Sequence, residues 1–262
     1  MILLRSLLFY LAFYLSNAAQ MIFWTPVFFV IPRWLGWRIV RAWAKSHLFI
    51  HRHIIGARFE FRGLENIPSD RPFIVASKHQ SSWETYSTLL FLDDPSYILK
   101  RELMFVPLFG WYAAKMQVVP VNRGKRSEAL AEMARKSAVQ YAQGRRIIIY
   151  PEGTRTKAGA PPAYKYGIAH LYHELEANIL PVAINSGVFW PRKSLRLYPG
   201  TLVLEFLPII EPGLDRKAFA AELENRIETA TRALIEEAAA APNPPPLAVA
   251  VVAQSKERAR AD

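Results

Sequence analysis

No cysteine occurs anywhere in the 262 residues, which removes a thiol nucleophile, a thiolate-bound zinc and a disulfide framework from consideration. Neither a G-x-S-x-G nucleophile elbow nor a G-x-x-x-x-G-K-[ST] phosphate loop is present. Charge of either sign is missing from 6–32, which reads SLLFYLAFYLSNAAQMIFWTPVFFVIP. Acid is scarce overall: 22 Asp and Glu stand against 33 Lys and Arg, a net charge of +11, so the partners are expected to be anionic. Nucleic acid, an acidic membrane surface and an acidic substrate all meet that description. Seven Trp, fifteen Phe and eleven Tyr suit a bilayer interface, and they would also suit a single-strand groove. Position decides between these two. The basic and aromatic residues crowd beside the uncharged run and no RNA-binding signature appears, so no nucleic-acid partner is expected.

The uncharged run is long enough to cross a bilayer. Asn17 and Gln20 near its middle and Pro26 near its end leave two forms open, one bent span or two short helices dipping into a leaflet. Ser16-Asn17-Ala18 has the look of a signal-peptide cleavage site, but the apolar residues continue to Ile31 and Arg5 alone marks a basic start. The segment 33–63 then carries Arg33, Arg38, Arg41, Lys45, Arg52, Arg58 and Arg62 against a single acid, Glu60, with Trp34, Trp37 and Trp43 interleaved. That composition predicts an amphipathic helix seeking the interface, and the positive bias predicts a cytoplasmic face for the rest of the chain. Residues 1–58 are therefore expected to be a membrane anchor. His47 and His51 lie one helical turn apart, with His53 close by, but no carboxylate or cysteine stands beside them to complete a metal site. His170 and His173 read the same way, and no metal is expected.

From 59 to 241 short β-branched runs alternate with helical stretches. Strands are predicted at 72–76, 97–99, 117–121, 146–150, 179–184 and 202–206, and clear helices at 126–143 and 215–240. Such alternation predicts an α/β fold, with helices flanking a mixed, largely parallel sheet and ligands bound at loops beyond the strand C-termini. Past Pro242 the expectation is a Pro-rich linker and a disordered tail, 242–262.

Two loops carry chemistry. The first strand is followed by Ser77-Lys78-His79-Gln80-Ser81-Ser82-Trp83-Glu84. A strand-end His suits a general base, and a carboxylate five residues on can orient it. On one regular helix the two would point about 140° apart, so the pair requires His79 in the turn and Glu84 inside the next helix. Chance alone supplies many such H-x4-E patterns, and the bland alternative is a capping His with a solvated Glu. The second loop, Pro151-Glu152-Gly153-Thr154-Arg155, follows the strand Ile147-Ile148-Ile149-Tyr150. Its Gly allows close backbone approach and its Arg can clamp two phosphate oxygens. Between the loops stand two further strand-end cations, Lys100 of Lys100-Arg101-Glu102-Leu103 and Arg123 of Val121-Asn122-Arg123, and a fourth segment reads Ile179-Leu180-Pro181-Val182-Ala183.

In order and spacing these four segments resemble the four blocks of the glycerolipid acyltransferase family, and within it the lysophosphatidic acid (1-acylglycerol-3-phosphate) O-acyltransferases. The resemblance runs from about Phe61 to Phe206. It implies that His79 and Glu84 are the catalytic pair, and that Lys100, Arg123, Glu152, Gly153, Thr154 and Arg155 bind the glycerol phosphate. Leu180-Pro181-Val182 would help form the acyl-donor side. The implied reaction moves a fatty acyl group from acyl-CoA or acyl-ACP to the sn-2 hydroxyl of lysophosphatidic acid, with no cofactor. Two positions depart from the usual pattern: Glu84 stands where Asp is commoner, and Lys78 where Asn often precedes the His. Alternatives are an acyltransferase for another lysolipid, such as a lyso-ornithine lipid or a lipid A precursor, or a basic membrane-binding protein without catalysis.

Overall fold

The computed structural model describes residues 1–122 and 126–261. Residues 6–28 of the uncharged run lie inside one helix, α1 (Ile2–Phe28), with Pro26 in its last turn. A turn at 29–32 leads into α2 (Arg33–Ile55), and the two helices pack along each other. The polar residues of the apolar run face this partner. Trp43 Nε1 donates to Asn17 Oδ1 at 3.0 Å, and Gln20 Nε2 donates to Ser46 Oγ at 2.9 Å. Satisfied in this way, Asn17 and Gln20 do not interrupt the helix. Phe9 and Phe28 are buried on its inner side, whereas Leu4, Leu8, Leu11, Leu15 and Ile22, at helical spacing, are exposed.

Gly56 (φ 85°) ends α2 in the left-handed conformation, its N–H donating to the Arg52 carbonyl at 2.9 Å. The chain then enters β1 (Ala57–Arg62). The basic amphipathic helix expected within 33–58 is α2, and the boundary drawn between 58 and 59 falls inside the strand that follows it. Alternating Phe59 and Phe61 stack on Trp83 and turn the segment into sheet. Three of the seven cations expected at the membrane are also spent within the protein. Arg33 and Arg41 pair with Asp94 and Asp93 at 2.7 and 3.0 Å, and Arg62 with Glu60 and Glu237. Trp34, Arg38, Lys45 and Phe49 remain exposed along α2.

The remaining elements are β2 (Ile74–Ser77), α3 (Trp83–Ser87), β3 (Ser96–Lys100), α4 (Phe109–Lys115), β4 (Val119–Val121), α5 (Arg126–Ala142), β5 (Ile147–Ile149), α6 (Tyr166–Glu174), β6 (Ile179–Ile184), α7 (Ser186–Phe189), β7 (Gly200–Phe206), α8 (Arg216–Ala240) and α9 (Pro246–Ala261). Seven strands form one sheet in the order β1-β7-β6-β2-β5-β3-β4. Every pairing is parallel except β6 with β7, which matches the mixed, largely parallel sheet expected. β2, β5 and β6 are buried at every residue, as continuous Ile, Val and Leu runs require when helices cover both faces. Alternation divides them. Val75, Leu180, Val182 and Ile184 face the layer holding α1, α2 and Trp83. Ile74, Ala76, Ile179 and Ala183 face Phe219, Leu223 and Ile227 of α8. Asp215 caps α8 by accepting from the N–H groups of Lys217 and Ala218 at 2.8 and 2.9 Å.

The C-terminal segment departs from expectation. Pro246 opens α9, where its missing N–H costs nothing, and the helix packs on α8 and α7. Ala248 is fully buried, Leu247, Val251 and Val252 pack against the same core, and a Cβ on Gly159 would meet Val251 at 2.8 Å. This is a docked helix and not a disordered tail. Apolar positions 247, 248, 251 and 252 share one helical face, and burying that face is what orders it.

The adjacent histidines of α2 are packing residues. His47 lies 4.6 Å from the Phe13 ring, and His51 lies 4.8 Å from Phe9 and 5.5 Å from Trp190. Burial lowers the pKa of both, that of His51 to about 3, so both are neutral aromatic surfaces.

Candidate active site

The loops that follow β2 and β5 meet at the C-terminal end of the parallel strands. β2 delivers Ser77, Lys78 and His79, and the chain turns at once into α3, which carries Glu84 in its first turn. His79 therefore sits in the turn and Glu84 in the helix, the arrangement their spacing demands, and His79 Nδ1 lies 2.8 Å from Glu84 Oε1. Glu84 is fully buried. Its Oε1 also accepts from the backbone N–H groups of Gln80 and Ser81, both at 2.7 Å. Its Oε2 accepts from the hydroxyls of Ser81 at 2.6 Å and Ser186 at 2.8 Å. Burial by itself pushes this carboxyl up. The hydrogen bonds and charge of His79, with those of Ser81, outweigh burial and hold Glu84 below its ordinary value. An ionised Glu84 only accepts, so Nδ1 carries the proton of that bond, and Nε2 is the nitrogen turned away from the carboxylate. Tyr150 lies under the imidazole, ring centroids 3.9 Å apart and 19° from parallel, and fixes its plane.

The second loop closes over the first. Gly153 takes φ 67°, which an L side chain rarely adopts, and its N–H donates to the Tyr150 carbonyl at 2.8 Å. The turn brings Thr156 back to His79, whose carbonyl accepts from the Thr156 N–H at 2.8 Å. Arg155 Nη1 donates to Ser82 Oγ at 3.2 Å, so this exposed guanidinium stands beside the turn that holds His79. Thr154 is exposed on the same loop.

Glu152 behaves differently from the substrate ligand expected of it. It is 2% exposed, and its carboxylate accepts from Lys78 Nζ at 3.0 Å and Thr156 Oγ1 at 2.8 Å. Lys78 is itself 3% exposed and also donates to Glu228 Oε1 of α8 at 2.6 Å, where Tyr164 donates at 3.0 Å. With both oxygens engaged and water excluded, Glu152 ties the loop to β2 and has no free oxygen to offer a ligand. Leu180 and Val182 are likewise fully buried in β6, so they build the core under the site and not an accessible donor surface. Lys100 ends β3, is exposed, and pairs with Glu102 at 3.0 Å. No hydrogen bond joins it to either loop among the described residues. Arg123 lies outside the described residues.

Several contributors escaped sequence reasoning. Ser81 was within the motif, and its place three residues before Glu84 was the available signal. Ser186 follows β6 directly, whereas Glu228, 150 residues beyond Lys78, had none.

An imidazole with one nitrogen locked on a buried carboxylate and the other free is equipped to take a proton from a hydroxyl. The family model described as "Acyltransferase" matches residues 58–185. A 1-acyl-sn-glycerol-3-phosphate acyltransferase of Pseudomonas aeruginosa is 34% identical over 86% of this chain and 88% of its own. The human enzyme named 1-acyl-sn-glycerol-3-phosphate acyltransferase alpha is 28% identical over 60% of this chain and 56% of its own. The crystal structure of the 1-acyl-sn-glycerophosphate acyltransferase of Thermotoga maritima shares the fold, with a TM-score of 0.75 over 89% of this chain and 98% of that one, at 24% identity. From the dyad, the fold and these similarities together, the chain belongs to the acyltransferase family that includes the 1-acyl-sn-glycerol-3-phosphate acyltransferases.

Proposed function

We propose that the protein transfers a fatty acyl group from a thioester, on coenzyme A or acyl carrier protein, to the sn-2 hydroxyl of lysophosphatidic acid, giving phosphatidic acid. The observation that carries this reading is the His79–Glu84 pair at 2.8 Å with the Arg155 loop folded against it. His79 Nε2 takes the proton as the hydroxyl oxygen attacks the thioester carbonyl. The tetrahedral intermediate collapses, the new ester forms, and the departing thiolate leaves as thiol with the proton from the imidazolium. Glu84 stabilises that imidazolium. Transfer is direct, and it needs neither a metal nor a cofactor. Incubating purified protein with lysophosphatidic acid and each thioester, and identifying products by mass spectrometry, tests the reaction and reveals the carrier. Acylation of lyso-ornithine lipid or a lipid A precursor in preference would move the reading to those acceptors.

Arg155 is proposed to read the acceptor's phosphate, since a planar guanidinium can bond two phosphate oxygens at once. Arg155→Ala is expected to lower kcat/KM for lysophosphatidic acid by about 10- to 100-fold, the range of one lost charged hydrogen bond. Arg155→Lys should recover part of the loss, and monoacylglycerol, which has no phosphate, should be little affected. An equal loss on both acceptors with a lower Tm would mean that Arg155 serves only structure.

The reaction is proposed to take place on the cytoplasmic face of a bacterial inner membrane. The exposed face of α1 and the α2 stripe Trp34, Arg38, Lys45 and Phe49 together offer apolar insertion flanked by cations. High salt should leave the full-length protein on membranes, because screening weakens charge attraction and not apolar insertion. Deleting residues up to Ile31 should release part of it, although α1 also packs on the core and the truncated chain must be checked for folding. Release of the intact protein by salt alone would refute apolar anchoring.

A further inference from the structure

Beside the dyad lies a cleft of about 340 Å³ whose walls come from four distant parts of the chain. Gln80, Ser81 and Ser82, just after His79 in the chain, line one side with Arg155, and Arg192 and Lys193 line another. Leu7, Tyr10 and Tyr14 of α1 supply an apolar wall, and no carboxylate lines the cleft among the described residues. Three cations thus converge on one hollow without an acid to neutralise them. Neither Arg192 nor Lys193 makes an ion pair among the described residues.

The segment carrying Arg192 and Lys193 is held in place. Trp190 Nε1 donates to the Tyr10 hydroxyl at 3.0 Å, and that hydroxyl donates to the Ser194 carbonyl at 3.1 Å. The Ser194 N–H returns to the Pro191 carbonyl at 3.2 Å, and between them Lys193 takes φ 61°, a left-handed conformation uncommon for a lysine. Strained backbone of this kind persists where its surroundings over-determine it, and ligand clamps are a frequent setting. The turn therefore presents two cations from a fixed loop, tied to the helix that meets the membrane.

We propose that Arg192 and Lys193, together with Arg155, form the cradle for the phosphate of the acyl acceptor. This rests on the acceptor being a lysolipid phosphate. The donor's phosphates share the same chemistry. The apolar wall from α1 favours the acceptor, because an amphiphile arriving from the bilayer needs a cationic end and a greasy side in one cleft. Arg155 alone supplies a single fork, whereas three cations around one phosphomonoester more than balance its charge of about −2 and hold it in one orientation.

The test uses full-length protein in mixed micelles, with Arg192→Gln, Lys193→Gln, the double variant and Arg192→Lys. For the double variant, KM for lysophosphatidic acid should rise about tenfold or more with kcat within about twofold, the signature of lost ground-state binding. KM for the thioester and for monoacylglycerol should stay unchanged, and Arg192→Lys should retain part of the affinity. Calorimetric binding of lysophosphatidic acid, measured without thioester, should weaken in parallel. An unchanged KM and affinity for lysophosphatidic acid would overturn the cradle while leaving the acyl-transfer reading intact. A rise confined to the thioester would overturn it in favour of a donor site. A loss equal across acceptors with a lower Tm would reduce the loop to a structural part. Should wild type bind lysophosphatidic acid through these cations but fail to acylate it, the cradle stands and the proposed reaction falls.

Discussion

Replacing His79 by alanine should lower kcat by about 10²- to 10⁴-fold or more, the usual contribution of a positioned general base, while the protein stays folded and membrane-bound. His79 is partly open to solvent and its ring rests on Tyr150, so its removal leaves a shallow gap and no large cavity. Glu84 needs a graded series because it does more than orient the imidazole. Glu84→Ala would strip an acceptor from two backbone N–H groups and two hydroxyls, all buried, so it should lose most activity and stability together. Glu84→Gln keeps the volume but withdraws the charge that stabilises the imidazolium, and it should lower kcat with a smaller change in Tm. Glu84→Asp should retain partial activity. The His79 variant has a second readout. A carboxyl held below its ordinary value contributes stability above its unfolded pKa, and that contribution is lost as pH falls through the folded value. His79→Ala removes interactions that lower Glu84, so burial raises it, and acid unfolding should begin at a higher pH than in the wild type. A His79→Ala protein with near-normal kcat would rule out the general-base mechanism.

The largest stability effect should come from Lys78. Its ammonium is buried between Glu152 and Glu228, and Lys78→Ala would leave the Glu152 carboxylate in the interior without its cation. Breaking a buried pair from one side typically costs about 3–5 kcal/mol. For a chain of this size that corresponds to a Tm lowered by roughly 6–20 °C. Activity should fall as well. Glu152 also holds Thr156, and Thr156 holds the His79 carbonyl, so the loss propagates to the dyad. The control is Lys78→Met with Glu152→Gln and Glu228→Gln, which removes the orphaned charges and should restore much of the Tm. Glu228→Gln alone should be mild, since its side chain is 20% exposed and partly solvated. If Lys78→Ala melts with the wild type, the buried network carries no stability and the link from Lys78 to His79 is wrong.

Much of this protein is legible in its sequence. Apart from Ser77 and Pro181, the strand runs 74–77, 147–149 and 179–184 consist of Ile, Val, Leu and Ala, the residues that a strand covered on both faces favours. Gly144 and the Asp215 cap mark helix limits to within a residue or two. His79, Glu84 and Arg155 stand out because each comes shortly after a strand, where local spacing controls direction. What the sequence by itself determined, then, was the elements between β2 and α8 and the ends at which chemistry gathers, whereas β1 and α9 became visible only in the packed structure. Tertiary structure alone decided which polar residues serve the substrate and which serve the protein. Glu152 reads as a ligand until Lys78 is seen to close on it, and Lys78 reads as a departure until Glu228 arrives from 150 residues away. The cleft between α1 and the Trp190–Leu195 turn has the same origin, since the Tyr10 and Trp190 that clamp it are 180 residues apart. Periodicity encodes which face of an element is buried. Which distant side chain meets that face depends on how the layers pack, and the energy of a buried charge depends on that meeting.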